Sequence, residues 1–272
     1  MTGASGSAGP ATGRAGDPWP PPSPGAAPLP AMVAAQAGLE LRTLLRNGEQ
    51  LLLTLIIPVI LLVVFGSESL ISVGRGSRIG FIAPGVLALA VMSTSFTSLA
   101  IGTAFERRYG VLKRLGATPL SRGGLIMAKA VTVLAVEAGQ IVIIVAVSLL
   151  IGWHPVATAV SVVSAVLVLV AGSAAFSGLA MLMAGTLRAE ATLAAANLVY
   201  LVLLGVGGVV FPLAKFPAPI RPLLRLLPSG AMSDGLRAAL RYGSGLPVRD
   251  LAVLAGWALA GIVLAARTFR WD

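Results

Sequence analysis

The sequence predicts an all-α integral membrane protein with six transmembrane helices, and three observations lead there. Of the 272 residues, 57% are hydrophobic and only 11% charged, whereas a soluble domain carries about 25% charged residues. A single soluble fold of this length cannot hide so many apolar side chains, so much of the surface must face lipid. The apolar residues also gather into six charge-poor stretches, to be compared with the roughly 20 residues that cross a bilayer. The absence of cysteine excludes disulfides, thiolate metal ligands and iron–sulfur clusters. One histidine, His154, excludes a paired-imidazole haem site. A net charge of +10 would suggest nucleic acid in a soluble protein; here loop arginines facing anionic headgroups explain it more simply.

Residues 1–31 are Gly, Ala, Pro and Ser with little else, and hold eight of the 18 prolines. A segment of that composition cannot bury enough surface to fold, which predicts a disordered tail. Without an apolar core or a cleavage pattern it does not read as a signal peptide. The membrane domain is then expected over residues 32–272. Its first element, residues 32–50, places Ala37, Leu41, Leu44 and Leu45 on one helical face and Gln36, Glu40, Thr43 and Asn47 on another. Leading directly into a lipid span, this pattern fits an amphipathic helix in the membrane interface; a soluble helix packed on a partner is the alternative.

The six stretches are residues 51–66, 81–105, 130–152, 156–187, 191–211 and 251–266. The first and last are short, and flanking polar residues can snorkel to complete them. The fourth, 32 residues without a charge, is too long for one upright span and too short for two. An even count puts both termini on one side, with twelve basic residues there against eight opposite. The excess predicts cytoplasmic termini, and the basic segment 212–250 is the weak point of that assignment.

Between the second and third spans runs Glu106-Arg107-Arg108-Tyr109-Gly110-Val111-Leu112-Lys113-Arg114-Leu115-Gly116-Ala117-Thr118-Pro119. A short helix over 106–115 fits, with Glu106 in the first turn and Lys113 and Arg114 in the last, as the helix dipole favours. Gly116 can end it and Pro119 prevents its return. Tyr109, Leu112 and Leu115 would form an apolar ridge amid charge, which reads either as a lipid-facing basic anchor or as a docking helix for a cytoplasmic partner.

Polar residues inside the spans are the other candidates. Glu137 is the only ionisable residue deep within one, with Gln140 one turn away. A carboxylate there costs at least about 2.5–3.5 kcal/mol on insertion scales, so it should face protein or water. It reads as part of a substrate path, a subunit contact or a hydrogen-bonded structural group. The second span carries Ser93, Thr94, Ser95, Thr97, Ser98 and Thr103, and the fifth Asn197 and Tyr200 followed by Gly205, Gly207 and Gly208. Such hydroxyls line a path or join helices, and the glycines allow close approach or bending. In residues 212–250, Ile220, Leu223, Leu224 and Leu227, then Met232, Leu236 and Leu240, predict two short amphipathic helices dipping into the outer leaflet, or a solvent-facing hairpin. His154, between Trp153 and Pro155, reads as an interfacial turn residue.

The loop run 106–119 resembles the cytoplasmic loop of ABC-2 type exporter permeases, nearest the daunorubicin-resistance-like branch found in actinobacteria. The likeness extends from about residue 32 to the end: interfacial helix, six spans, a coupling helix after the second and an external segment before the sixth. It implies that Glu106, Arg107, Arg108, Tyr109, Leu112, Lys113, Arg114 and Leu115 contact an ATPase subunit. It also implies that the second and fifth spans border a path between two permease copies, which makes Ser93, Thr97, Asn197 and Tyr200 candidates for its lining, beside Glu137 and Gln140 of the third span, which are candidates because a polar group inside a span should face protein or water. The residues agree that this chain needs a partner for ATP-driven work. Its three lysines, Lys113, Lys129 and Lys215, follow Leu112, Ala128 and Ala214, so none completes the Gly-Lys-Ser/Thr of a phosphate-binding loop. The expectation is a plasma-membrane efflux permease, homodimeric, with two separate ATPases carrying ATP and magnesium. It would bind no cofactor, metal or nucleic acid, catalyse no covalent chemistry, and export a drug, lipid or glycolipid; antibiotic resistance is one such role. The rivals are a membrane enzyme or assembly factor acting on lipid-linked or cofactor intermediates, which generally needs clustered carboxylates or histidines near one membrane face, and a non-transporting membrane anchor.

Overall fold

The computed structural model describes residues 27–46, 52–67, 77–209 and 211–269, together with Gly25 and Gly48. The expected tail at 1–31, apart from its last few residues, lies outside the described residues, as do Asn47 and Gln50. Every regular element among the described residues is helical.

Helix α1 (Leu29–Arg46) begins earlier than its apolar pattern suggests. It lies along α5 (Arg122–Leu150), burying Val33 and Ala37 against Ala128. Leu45 stays exposed, so the buried stripe runs through 33 and 37 rather than through the whole set 37, 41, 44 and 45. α2 (Ile57–Ser67) follows a wide π-turn at Leu52–Ile56. The next helix, α3 (Arg78–Arg108), is the axis of the molecule. Every residue from Ile79 to Met92 is buried, because α2, α5, α6 (Ala159–Thr186) and α9 (Pro228–Arg237) enclose it. Ser77 caps its start, accepting a hydrogen bond from the Gly80 amide at 3.3 Å, and a second π-turn widens it at Ser93–Ser98.

Among the described residues, five helices are long and apolar enough to cross a membrane: α3, α5, α6, α7 (Ala189–Val206) and α10 (Val248–Thr268). The first predicted span is shorter, with apolar helix over Thr54–Gly66. α6 and α10 form the most extensive helix pair, and glycine explains their closeness. A Cβ on Gly261 would stand 2.8 Å from the Gly178 carbonyl carbon, and one on Gly178 would stand 3.1 Å from the Ile262 amide nitrogen. Small residues let the two backbones touch, which is how helices gain packing energy without a hydrophobic driving force.

Two expectations need correction. The loop helix is not continuous over 106–115. The α3 helix carries on to Arg108, the chain turns at Tyr109-Gly110, and a separate helix α4 covers Val111–Gly116. Gly110 adopts φ +71°, a left-handed conformation that stops a helix at little cost only for glycine. The segment before α10 also departs from a pair of surface helices. A 3₁₀ turn (Leu213–Lys215) and a single helical turn, α8 (Arg221–Leu224), lead into α9, which is buried between α3, α6 and α10. Small residues make this possible: a Cβ on Gly230 would strike the Leu224 carbonyl oxygen at 2.3 Å, and one on Gly235 would press on Val168 and Asp250. Met232 and Leu236 are wholly buried, so their spacing marks contact with neighbouring helices rather than with lipid.

Candidate functional site

Two regions hold the functional candidates: the turn below α3 and the polar layer inside the bundle.

The turn is fixed by charge. Lys129 of α5, only 5% exposed, pairs with Glu106 at the end of α3 at 2.6 Å and with Glu40 of α1 at 3.4 Å. Gln36 donates to the same Glu40 at 3.0 Å. Three helices therefore meet at one ammonium. The next two residues reach the other way: Arg107 donates to the Leu187 carbonyl, and Arg108 pairs with Glu190, across the α6–α7 turn. Arg108 also lies 5.8 Å from the centre of the Tyr109 ring, which stacks on Phe105 with centroids 6.0 Å apart. Glu106, Arg107 and Arg108 are thus engaged within the chain. Tyr109 is 65% exposed, and Val111, Lys113 and Arg114 face outward with it. Leu112 is 3% exposed and Leu115 half-buried. The ridge of Tyr109, Leu112 and Leu115 is therefore not one surface, because the turn at Gly110 rotates Leu112 into the protein. The outward set is Tyr109, Val111, Lys113 and Arg114.

Inside the bundle the polar residues sort into separate knots. Gln140 accepts a hydrogen bond from Thr94 at 2.9 Å and donates to the Thr54 carbonyl at 2.9 Å. It thereby joins the π-turns at the start of α2 and within α3 to α5. A π-turn leaves carbonyls without their usual partners, and the Thr54 carbonyl finds one in this amide. Glu137, 3% exposed, faces Ser95 of α3 and Ser173 of α6, and its Oε1 has no hydrogen-bond partner among the described residues. Tyr200 of α7 faces Ser93 of α3. Thr97 is half-buried, its hydroxyl without a partner among the described residues. Asn197 stands on the exposed side of α7, in line with Leu193 and Leu201. The six path candidates therefore do not line one channel within a single chain: Glu137 and Gln140 are interior, Ser93 and Tyr200 face each other between α3 and α7, and Asn197 looks outward. His154 is exposed in the α5–α6 turn. Among the described residues no three His, Asp or Glu side chains converge in a way that could hold a metal ion.

Sequence reasoning passed over Arg237. It is 4% exposed, and its guanidinium donates to the Phe81 carbonyl at 3.3 Å and the Val209 carbonyl at 2.9 Å. It covers the Phe81 ring, 3.7 Å from the centroid, and lies 3.6 Å from Asp234. Burial pulls it down to about 10, still above neutral pH, so it remains a cation. The available signal was an Asp–Arg pair three residues apart among small residues, a spacing that puts both on one helical face.

These elements define a multi-pass helical membrane protein whose longest central helix ends in a braced basic turn. The family model for ABC-2 type transporters matches residues 37–240, from within α1 into the π-turn Ala238–Tyr242 that follows α9. The chain belongs to the ABC-2 type transporter family and is a transmembrane permease component of an ABC transporter. Among curated proteins, none matches it.

Proposed function

We propose that the chain is the permease half of an ATP-driven exporter that moves hydrophobic or amphipathic cargo outward across the plasma membrane, with six spans and both termini in the cytoplasm. The observation that carries this reading is the braced turn. Glu106, Arg107 and Arg108 lock its root to α1, α5 and the α6–α7 turn, while Tyr109, Val111, Lys113 and Arg114 project from it. A lever needs a stiff root and an accessible tip, and a separate ATPase seated on this tip would move α1, α3 and α5 together. ATP and its magnesium stay on that partner. Asn197 favours two permease copies side by side. An amide on an otherwise apolar, exposed stretch of α7 is costly against lipid, and a second copy would offer it a partner. The path then lies between copies, with Ser93, Thr97 and Tyr200 near the α3–α7 seam and Glu137 behind them.

The test is retention of the ATPase. Tyr109→Asp combined with Lys113→Glu and Arg114→Glu should weaken co-purification by at least about tenfold, since complementary charge steers and holds such contacts, while membrane insertion stays normal. Leu112→Asp is the contrasting change: it buries a charge within the chain and should lower the yield of folded permease. Full ATPase retention and full export by the triple variant would remove the docking assignment.

A further inference from the structure

We infer that the α6–α7 turn, residues 186–190, is a second docking element for the ATPase that seats on the tip at Tyr109, and that the ATPase presents an acidic face to it. The assignment rests on the docking reading proposed above and extends it to a further part of the surface. Area is the first argument. A stable contact between two proteins takes about 800 Å² and roughly 20–30 residues on each side. The tip offers Tyr109, Val111, Lys113 and Arg114, too few for such a contact, so the remainder must adjoin it. The α6–α7 turn does. Arg107 and Arg108, at the root of the tip, bind the Leu187 carbonyl and the Glu190 carboxylate, and Thr186, Leu187, Arg188 and Glu190 are exposed. The turn is also firmly seated. Thr192 donates to the Arg188 carbonyl at 3.0 Å, and the Phe269 ring packs so closely on Gly185 that a Cβ there would strike it. Tip and turn therefore form one platform across α3, α4, α6 and α7.

Charge is the second argument, and it gives the partner's sign. Among the described residues at this end of the bundle, each acid already has a cation: Glu40 and Glu106 share Lys129, and Glu190 holds Arg108. Lys113 and Arg114 on the tip and Arg188 on the turn are exposed and belong to none of these pairs. The platform therefore presents three cations with no anion of its own to spend on them. An acidic face on the partner complements that pattern, which steers the encounter and fixes the register of the docked subunit. Anionic headgroups would meet the same cations one by one, but would leave the tip without the area that holds its partner.

The chain has no cysteine, so a single one can carry a probe. In the full permease, Leu187→Cys is coupled to a benzophenone maleimide before the ATPase subunit is added. Illumination should join it to the ATPase at a peptide containing Asp or Glu. The same probe on His154→Cys, in the α5–α6 turn at the opposite ends of those helices, should give no such product. Arg188→Gln should lower ATPase retention by about threefold and Arg188→Glu by more, the size of one exposed charge pair lost or reversed. Added salt should narrow the difference between Arg188→Gln and the wild type. Membrane insertion and thermal unfolding should stay normal in both variants, because the Arg188 side chain braces nothing inside the chain. Unchanged retention by Arg188→Glu, or cross-links from position 187 to lipid alone, would overturn the second docking element. The triple variant at Tyr109, Lys113 and Arg114, measured alongside, separates the two readings. If it loses the ATPase while Arg188→Glu keeps it, only the second element falls; if both keep it, the docking reading falls as well.

Discussion

Arg237 joins three parts of the chain through one planar group: its own helix α9, the start of α3 at Phe81 and the segment after α7 at Val209. Replacing it with leucine would strand two buried carbonyls and remove the cation over Phe81. We expect a loss of roughly 2–4 kcal/mol, since each buried carbonyl left without a donor costs about 1–3 kcal/mol. Arg237→Lys should recover little of it, because an ammonium cannot reach two carbonyls and cover a ring at once. Thermal unfolding of the detergent-solubilised protein would show both effects as lowered midpoints. At this scale the sequence was only partly readable. Glu137 and Gln140 stand out because polar groups in an apolar stretch need partners, and both are buried among them. Arg237 did not stand out, because Phe81 lies 156 residues away and nothing in local periodicity signals a contact of that range.

Among the elements, α1 is held to the bundle by Val33 and Ala37, by the Glu40–Lys129 pair and by Thr132, which donates to the Ala37 carbonyl at 3.4 Å. Lys129→Met keeps the stem and removes the charge, leaving Glu40 and Glu106 close together without their shared cation. The expected outcome is faster amide exchange over residues 33–44, with α6 and α10 unaffected, because their glycine contact lies elsewhere. Unchanged exchange in α1 would mean that apolar packing and the Thr132 hydrogen bond hold it. Helix existence was legible from hydropathy, since each long apolar stretch became a helix of similar extent. Helix breaks were not. A glycine such as Gly110 ends a helix only where its neighbours find partners outside, and Arg107 and Arg108 found theirs 80 and 82 positions ahead. The burial of α9 was likewise hidden, since a stripe at Met232 and Leu236 looks the same against lipid as against helices.

For the molecule as a whole, the orientation proposed above makes a direct prediction. A reporter inserted near Gly116 and one fused to the C-terminus should both read cytoplasmic, while one near Gly243 should read external; a cytoplasmic signal at Gly243 would break the six-span arrangement. The π-turn at Ser93–Ser98 carries a mechanical consequence for this architecture. Each such turn holds one residue more than the regular helix has room for, so α3 contains a built-in offset between its two halves. Were the turn to close into regular α-helix with every residue kept, the lower half would rotate by about 100°, and Arg107 and Arg108 would swing away from Leu187 and Glu190 while the upper half kept its seat around Phe81. In the intact chain the same offset is a torsional joint. A push on the tip at Tyr109 need not be carried rigidly to the far end of α3, because it can be absorbed as twist at the level of Thr94, which donates to Gln140 of α5 as Gln140 donates to the Thr54 carbonyl.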